Sequence, residues 1–190
     1  MLSNIMVTLN SDGQSYIFDL EGETLDVQAG NVYTRTMTYV SPEEEIGTQL
    51  FGTWALTEYA ESYEKGVEPE PIEDYEWLYD SETAAGSYIV FRGDYTSDNC
   101  SVFEDKSGNY YSSKFWVETE DGVTKVIEEE TTGATCEYEL VEQNATTLKL
   151  RLVYDDDYGY YEIELTYEKV DFDPVNSDDF MLDKSSSGGM

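Results

Sequence analysis

Residues 146–169 read Thr-Thr-Leu-Lys-Leu-Arg-Leu-Val-Tyr-Asp-Asp-Asp-Tyr-Gly-Tyr-Tyr-Glu-Ile-Glu-Leu-Thr-Tyr-Glu-Lys, and this stretch decides the fold class. Leu148, Leu150, Leu152 and Tyr154 alternate with Lys149 and Arg151. Tyr161, Ile163, Leu165 and Tyr167 alternate with Glu162, Glu164 and Glu168. Side chains two apart share one face of a strand, so each half is a strand with one buried and one solvated face. The Asp-Asp-Asp-Tyr-Gly run between them has turn chemistry, and so short a connection makes the two strands antiparallel neighbours.

Working outward, further strand candidates lie at 51–59, 87–92, 100–104, 109–118, 123–129 and 135–141. They are separated by Lys106-Ser-Gly-Asn109, Glu120-Asp-Gly122, Thr131-Thr-Gly133 and Gln143-Asn-Ala145. Eight short strands with turns at this spacing read as an all-β barrel or sandwich. Ser41-Pro42-Glu43-Glu44 is a capping box, with Ser at the N-cap, Pro at the first helical position and Glu at the third. It predicts a short helix over 42–49. Residues 60–86 form a long connection whose 73–79 portion, Glu-Asp-Tyr-Glu-Trp-Leu-Tyr, reads equally as a helical turn or a short strand. Residues 171–190 read as a tail with a docked scrap, Asp179-Phe-Met-Leu182, before a Ser/Gly-rich, disordered end.

The chain has 190 residues, 10 basic against 42 acidic, for a net charge of −32 and no histidine. So acidic a surface repels nucleic-acid phosphates and anionic membranes. The lack of histidine removes Ser-His-Asp and Cys-His catalysis and His-ligated metal sites. Acidity this strong is common in disordered chains, but 39% hydrophobic and 14% aromatic residues, with 17 Tyr, supply a core. The alternation places the charge on outward strand faces. No segment reads as a membrane span or as a signal peptide.

Residues 1–40 carry an internal echo. Shifted by 120 positions, 7–20 lies on 127–140, placing Gly13 on Gly133, Phe18 on Tyr138 and Leu20 on Leu140. Residues 24–27 then match 147–150, and 33–39 match 161–167. This reads as extra β-strands, the closing fragment of a preceding copy of the same domain. Orphaned strands seek a sheet edge, so self-association by strand exchange through 1–40 is expected.

The chemistry on offer is sparse. The acidic runs 43–45, 128–130 and 155–157 read as solvated turns or helix starts, and the full calcium-loop pattern is missing around Asp155. There is no phosphate-binding loop, dinucleotide fingerprint or CxxC, so no catalytic residues, no metal and no cofactor are assigned. Cys100 and Cys136 read as two thiols or one disulfide.

Leu50-Phe-Gly-Thr-Trp-Ala-Leu-Thr57 opens the first strand directly after the capped helix, and Leu165-Thr-Tyr-Glu-Lys169 closes the last. Over 41–170 this resembles the lipocalin superfamily, whose first strand carries a G-x-W signature. It is most similar to the lipocalin-like domains of secreted or surface proteins of Bacteroidetes-type bacteria. The resemblance implies an eight-stranded antiparallel up-and-down barrel with Gly52 and Trp54 at its closed end. It also implies a non-enzymatic module that holds a small apolar or amphipathic ligand or serves as a structural unit. Lys169 and Arg151 are the residues available to replace the Arg that stacks on the motif Trp in that family. An interior of this size is either filled by side chains or holds one small molecule. The candidate lining is Tyr88, Tyr138, Leu150, Leu152, Tyr154, Tyr161 and Ile163. The alternative reading is a β-sandwich for adhesion or glycan binding that displays Tyr75, Trp77 and Tyr79 on its surface.

Overall fold

The computed structural model describes residues 6–8, 15–17, 42–156 and 159–185. The chain divides into two units, Met1–Thr38 and Tyr39–Met190. In the first, β1 (Met6–Thr8) pairs antiparallel with β2 (Ser15–Ile17) as a hairpin. The rest of the 1–40 echo, and the N-cap Ser41, lie outside the described residues.

In the second unit α1 (Pro42–Leu50) precedes β3 (Gly52–Ser62), β4 (Glu70–Pro71), β5 (Gly86–Phe91), β6 (Thr96–Val102), β7 (Ser107–Glu120), β8 (Val123–Glu130), β9 (Thr135–Gln143), β10 (Thr147–Asp156), β11 (Gly159–Val170) and β12 (Met181–Lys184). Strands β3 and β5 to β11 pair antiparallel in chain order, and β11 returns to pair with β3 from Val170↔Thr53 to Glu162↔Ser62. The result is a closed eight-stranded up-and-down barrel. Closure satisfies both edges at once, which excludes the sandwich architecture.

Three local readings are corrected. The β6–β7 turn spans 103–106 and not 106–109, because Lys106 takes the left-handed conformation at φ 62° and Asp105 binds the Ser107 amide and hydroxyl. Gly108 is a strand residue: a Cβ there would fall 2.0 Å from the Ser101 carbonyl oxygen, so the glycine permits close strand approach and does not make the turn. Residues 73–79 form successive turns, neither helix nor strand.

Two apolar clusters flank the barrel wall. The interior one joins Leu50, Trp54, Leu56, Ile89, Phe91, Phe115, Val126, Leu148, Leu150 and Tyr167. The outer one lies on β3, β5 and β6, where Ala55, Tyr88, Val90, Cys100 and Val102 are covered by Phe172, Val175, Phe180 and Leu182 of the C-terminal segment. That segment is pinned by Arg92, which donates to Asp98 at 2.7 Å and to Asp173 at 2.7 Å. It ends in β12, which runs parallel to β7 along Ser107 to Tyr110. Strand β8 begins its pairing only at Ser113, so β12 completes the wall where β8 does not reach.

The charge lies where alternation puts it. On the outer face Lys149 bonds Glu164 at 2.8 Å, and Arg151 fans across Glu139, Glu162 and Glu164. Arg151 is therefore not a partner for the buried Trp54.

Candidate functional site

The two ends of the barrel differ. At the α1 end Trp54 is fully buried, and its indole Nε1 donates to the Leu50 carbonyl at 2.6 Å, satisfying one of the acceptors that a helix C-terminus leaves unpaired. Lys169 lies with its Nζ 4.8 Å from the Trp54 ring centre and donates to the Phe51 carbonyl at 2.9 Å. A cation on an indole face at a helix C-terminus is favoured twice, by the ring and by the helix dipole. Gly52 is required between them. Its φ of 122° excludes most side chains, and a Cβ would meet the Lys169 stem at 2.9 Å. Gly52 and Trp54 thus form a plug, with Lys169 in the stacking role.

The other half of the barrel holds a cavity of about 360 Å³. Leu56, Leu152, Ile163 and Leu165 line it, together with Tyr59, Tyr75, Tyr111, Tyr138 and Tyr167, and Asn99 and Asn109 add amides. Tyr75 arrives from the long β3–β5 connection and stacks on Tyr59, ring centres 4.0 Å apart and planes 7° apart. No Lys, Arg, Asp or Glu is among the lining residues.

Behind this lining stand two carboxyls. Glu128, on the inward face of β8, is 3% exposed. It accepts from the Ser97 hydroxyl and from the Asn99 amide at 3.0 Å, and it also bonds Tyr138. Burial raises its pKa. The donors from Ser97, Asn99 and Tyr138 oppose that rise but do not cancel it, and nearby Glu130 adds to it. Burial also raises the phenols of Tyr111, Tyr138 and Tyr167. Nearer the mouth, Glu61 accepts from Tyr59 at 2.6 Å, Tyr161 at 2.6 Å and Tyr63 at 2.9 Å. These hydroxyls, Tyr161 first, lower its pKa and keep it ionised, while Tyr59 rises to about 12 through burial and then its bond to Glu61.

The seven sequence-derived lining candidates separate accordingly. Tyr138, Leu152 and Ile163 line the cavity. Leu150 belongs to the packed interior below it. Tyr161 stands one layer out, bonded to Tyr59 at 2.9 Å, and exposed Tyr154 stacks on Tyr161. Tyr88 borders the cavity from β5, yet its ring packs outside the wall against Tyr79 and Phe172, and its hydroxyl donates to the Ala84 carbonyl. The odd-even parity of β5, read one residue differently, separates Tyr88 from the inward Ile89 and Phe91. Sequence reasoning missed Tyr59, Tyr75, Tyr111, Asn99 and Glu128. The reading of 128–130 as a solvated acidic run is corrected at Glu128, which lies within β8 two residues from the inward Val126 and is buried.

The aromatics of the long connection each pack against another ring. Tyr75 covers Tyr59, Trp77 packs on Phe103, and Tyr79 on Tyr88. Cys100 and Cys136 are both free thiols, one buried on the outer cluster side and one on β9 opposite Glu128. Asp157, of the acidic run at 155–157, lies outside the described residues.

Among solved structures, the chain is similar to a lipocalin-like protein from Bacteroides uniformis (12% identity, 64% of this chain and 99% of that one, TM-score 0.35). It is also similar to lobster apocrustacyanin A1 (10%, 65% and 62%, TM-score 0.39) and to bovine odorant binding protein (17%, 64% and 74%, TM-score 0.34). No protein-family model and no curated protein sequence matches it. The barrel assignment rests on the strand pairing described above.

Proposed function

We propose that this chain is a non-enzymatic binding module that holds one small, largely apolar molecule inside its barrel. The observation that supports this reading is the cavity of about 360 Å³ in the half of the barrel away from the Trp54 plug. Its size falls at the lower end of small-molecule sites, about 300–1,000 Å³, and its wall combines aliphatic and aromatic side chains with a few amides. Placement on a secreted or cell-surface bacterial protein is part of the proposal and rests on the sequence motifs at 50–57 and 165–169.

The test uses a neutral fluorescent probe, N-phenyl-1-naphthylamine, titrated into the full chain and into Ile163→Trp, which fills the cavity with an indole. Saturable one-to-one uptake by the parent, lost in a variant that keeps its far-ultraviolet circular dichroism and a cooperative thermal transition, supports the reading. Absence of saturable uptake, or equal uptake by both proteins, overturns it.

A further inference from the structure

Resting on that reading, we propose that the molecule held in the cavity is a small organic cation, an ammonium group on an apolar body, and that tyrosine rings and the Glu61 and Glu128 carboxyls select its charge. The lining carries no Lys or Arg, so nothing within it repels a positive ligand. What borders the space instead is tyrosine, entering from separate elements: Tyr59 on β3, Tyr75 on the long connection, Tyr111 on β7, Tyr138 on β9 and Tyr167 on β11. Aromatic walls around a desolvated site favour cations through the negative ring face, whereas an anion meets the same faces as repulsion.

The two carboxyls divide the work by depth. Glu61, held ionised by three tyrosine hydroxyls, places a negative charge beside Tyr59 at the mouth. Glu128 lies at the inner end, one side chain behind the lining. It shares Asn99 and Tyr138 with the cavity wall, and among the described residues its carboxyl faces no cationic side chain. Burial favours the protonated Glu128 carboxyl before a ligand enters, and a cation arriving beside Asn99 and Tyr138 stabilises the ionised form, so that binding releases the carboxyl proton to solvent. The net charge of −32 adds a long-range attraction for cations, which salt screens, while the buried site is screened far less.

The experiment is calorimetric titration of the full chain, at pH 7 in about 0.15 M salt, with three ligands of one shape: 4-phenylbutylamine, 4-phenylbutanol and 4-phenylbutyrate. The expected result is one-to-one binding, with the ammonium at least about tenfold tighter than the alcohol, equal to about 1.4 kcal/mol, and the carboxylate weakest. Glu128→Gln should shrink the ammonium-to-alcohol ratio and leave alcohol binding in place. Tyr75→Leu, on an exposed connection that the barrel does not need in order to close, should shrink the same ratio and provides a readout if the core variant fails to fold. Alcohol binding equal to or tighter than ammonium overturns the charge selection while leaving the cavity reading intact. An ammonium preference unchanged in both variants overturns it too, since the preference then belongs to the acidic surface. If none of the three binds, and the naphthylamine probe does not bind either, the cavity reading falls and this inference falls with it.

Discussion

Replacing Glu128 by Gln is expected to change stability little at pH 4 and to raise it as pH climbs above the ordinary glutamate value. Below the ordinary glutamate value, about 4.3, the Glu128 carboxyl carries its proton both folded and unfolded, so its interactions contribute in full. As pH rises above that value the unfolded chain ionises while the buried carboxyl, with its raised pKa, does not. The folded state then holds the extra proton, and stability falls with pH at a limiting slope of about 1.4 kcal/mol per pH unit until the folded-state pKa is passed. An amide has no such titration. Its carbonyl still accepts from Ser97 and Asn99, so the difference at pH 4 is about 1 kcal/mol or less, the net worth of one rearranged hydrogen bond. The titratable groups facing Glu128 are Tyr111 on β7, Glu130 on β8, Cys136 and Tyr138 on β9, and Tyr167 on β11. None of them is a base that could hold a positive charge. Urea unfolding of both proteins followed by tryptophan fluorescence, in half-unit pH steps, yields the difference directly, because the remaining carboxylates are common to both and cancel. A difference that is flat from pH 4 to 8, or that shrinks as pH rises, refutes the assignment of Glu128 as a buried acid lacking a counter-charge.

Two further outcomes follow from the plug and the C-terminal segment. Trp54→Ala removes a fully buried indole and its bond to Leu50, at a cost of about 3–5 kcal/mol. For a chain of this size that lowers the melting temperature by roughly 2–4 °C per kcal/mol, whereas Lys169→Ala has a visibly smaller effect because its ammonium is exposed. Thermal circular dichroism measures both, and an unshifted melt for Trp54→Ala contradicts the plug. Arg92→Met cuts the charge-assisted bonds to Asp98 and Asp173 and should loosen β12. A guanidinium that is one-quarter exposed sits at the low end of such bonds, about 1.5 kcal/mol, or about tenfold in amide exchange at Met181 and Leu182. Exchange there that matches the parent, with the β3–β11 ladder equally unaffected, contradicts the pinning.

Much of the barrel was legible because alternation survives in single strands. Each of the eight strand candidates corresponds to an observed strand, and α1 ends one residue beyond its expected limit. The 103–106 turn was displaced because Lys106-Ser-Gly-Asn109 has turn composition, yet Gly108 serves strand packing. The site was less legible. Tyr138, Leu152 and Ile163 follow from inward parity, but Tyr75 reaches the cavity from a connection that has no periodicity to project, and Tyr59 lines it because the β3–β11 register slips at Thr57, moving the inward parity from Leu56 to Tyr59. Tyr88 shows the limit of composition: a buried tyrosine in a barrel strand faces in or out by one residue of register.

The sequence by itself determined the all-β class, the order of the eight strands, the outward placement of charge and the Gly52 and Trp54 motif, because period-two patterning, turn chemistry and helix capping are properties of neighbours along the chain. The tertiary structure decided closure over sandwich, since that depends on whether β3 and β11 meet, and it decided that Lys169 and not Arg151 covers Trp54. It also decided where the tail docks and that Glu128 lies buried with no cationic partner among the described residues. Those outcomes arise between residues far apart in the chain, where strand register, barrel stagger and the space left over by packing set which groups meet.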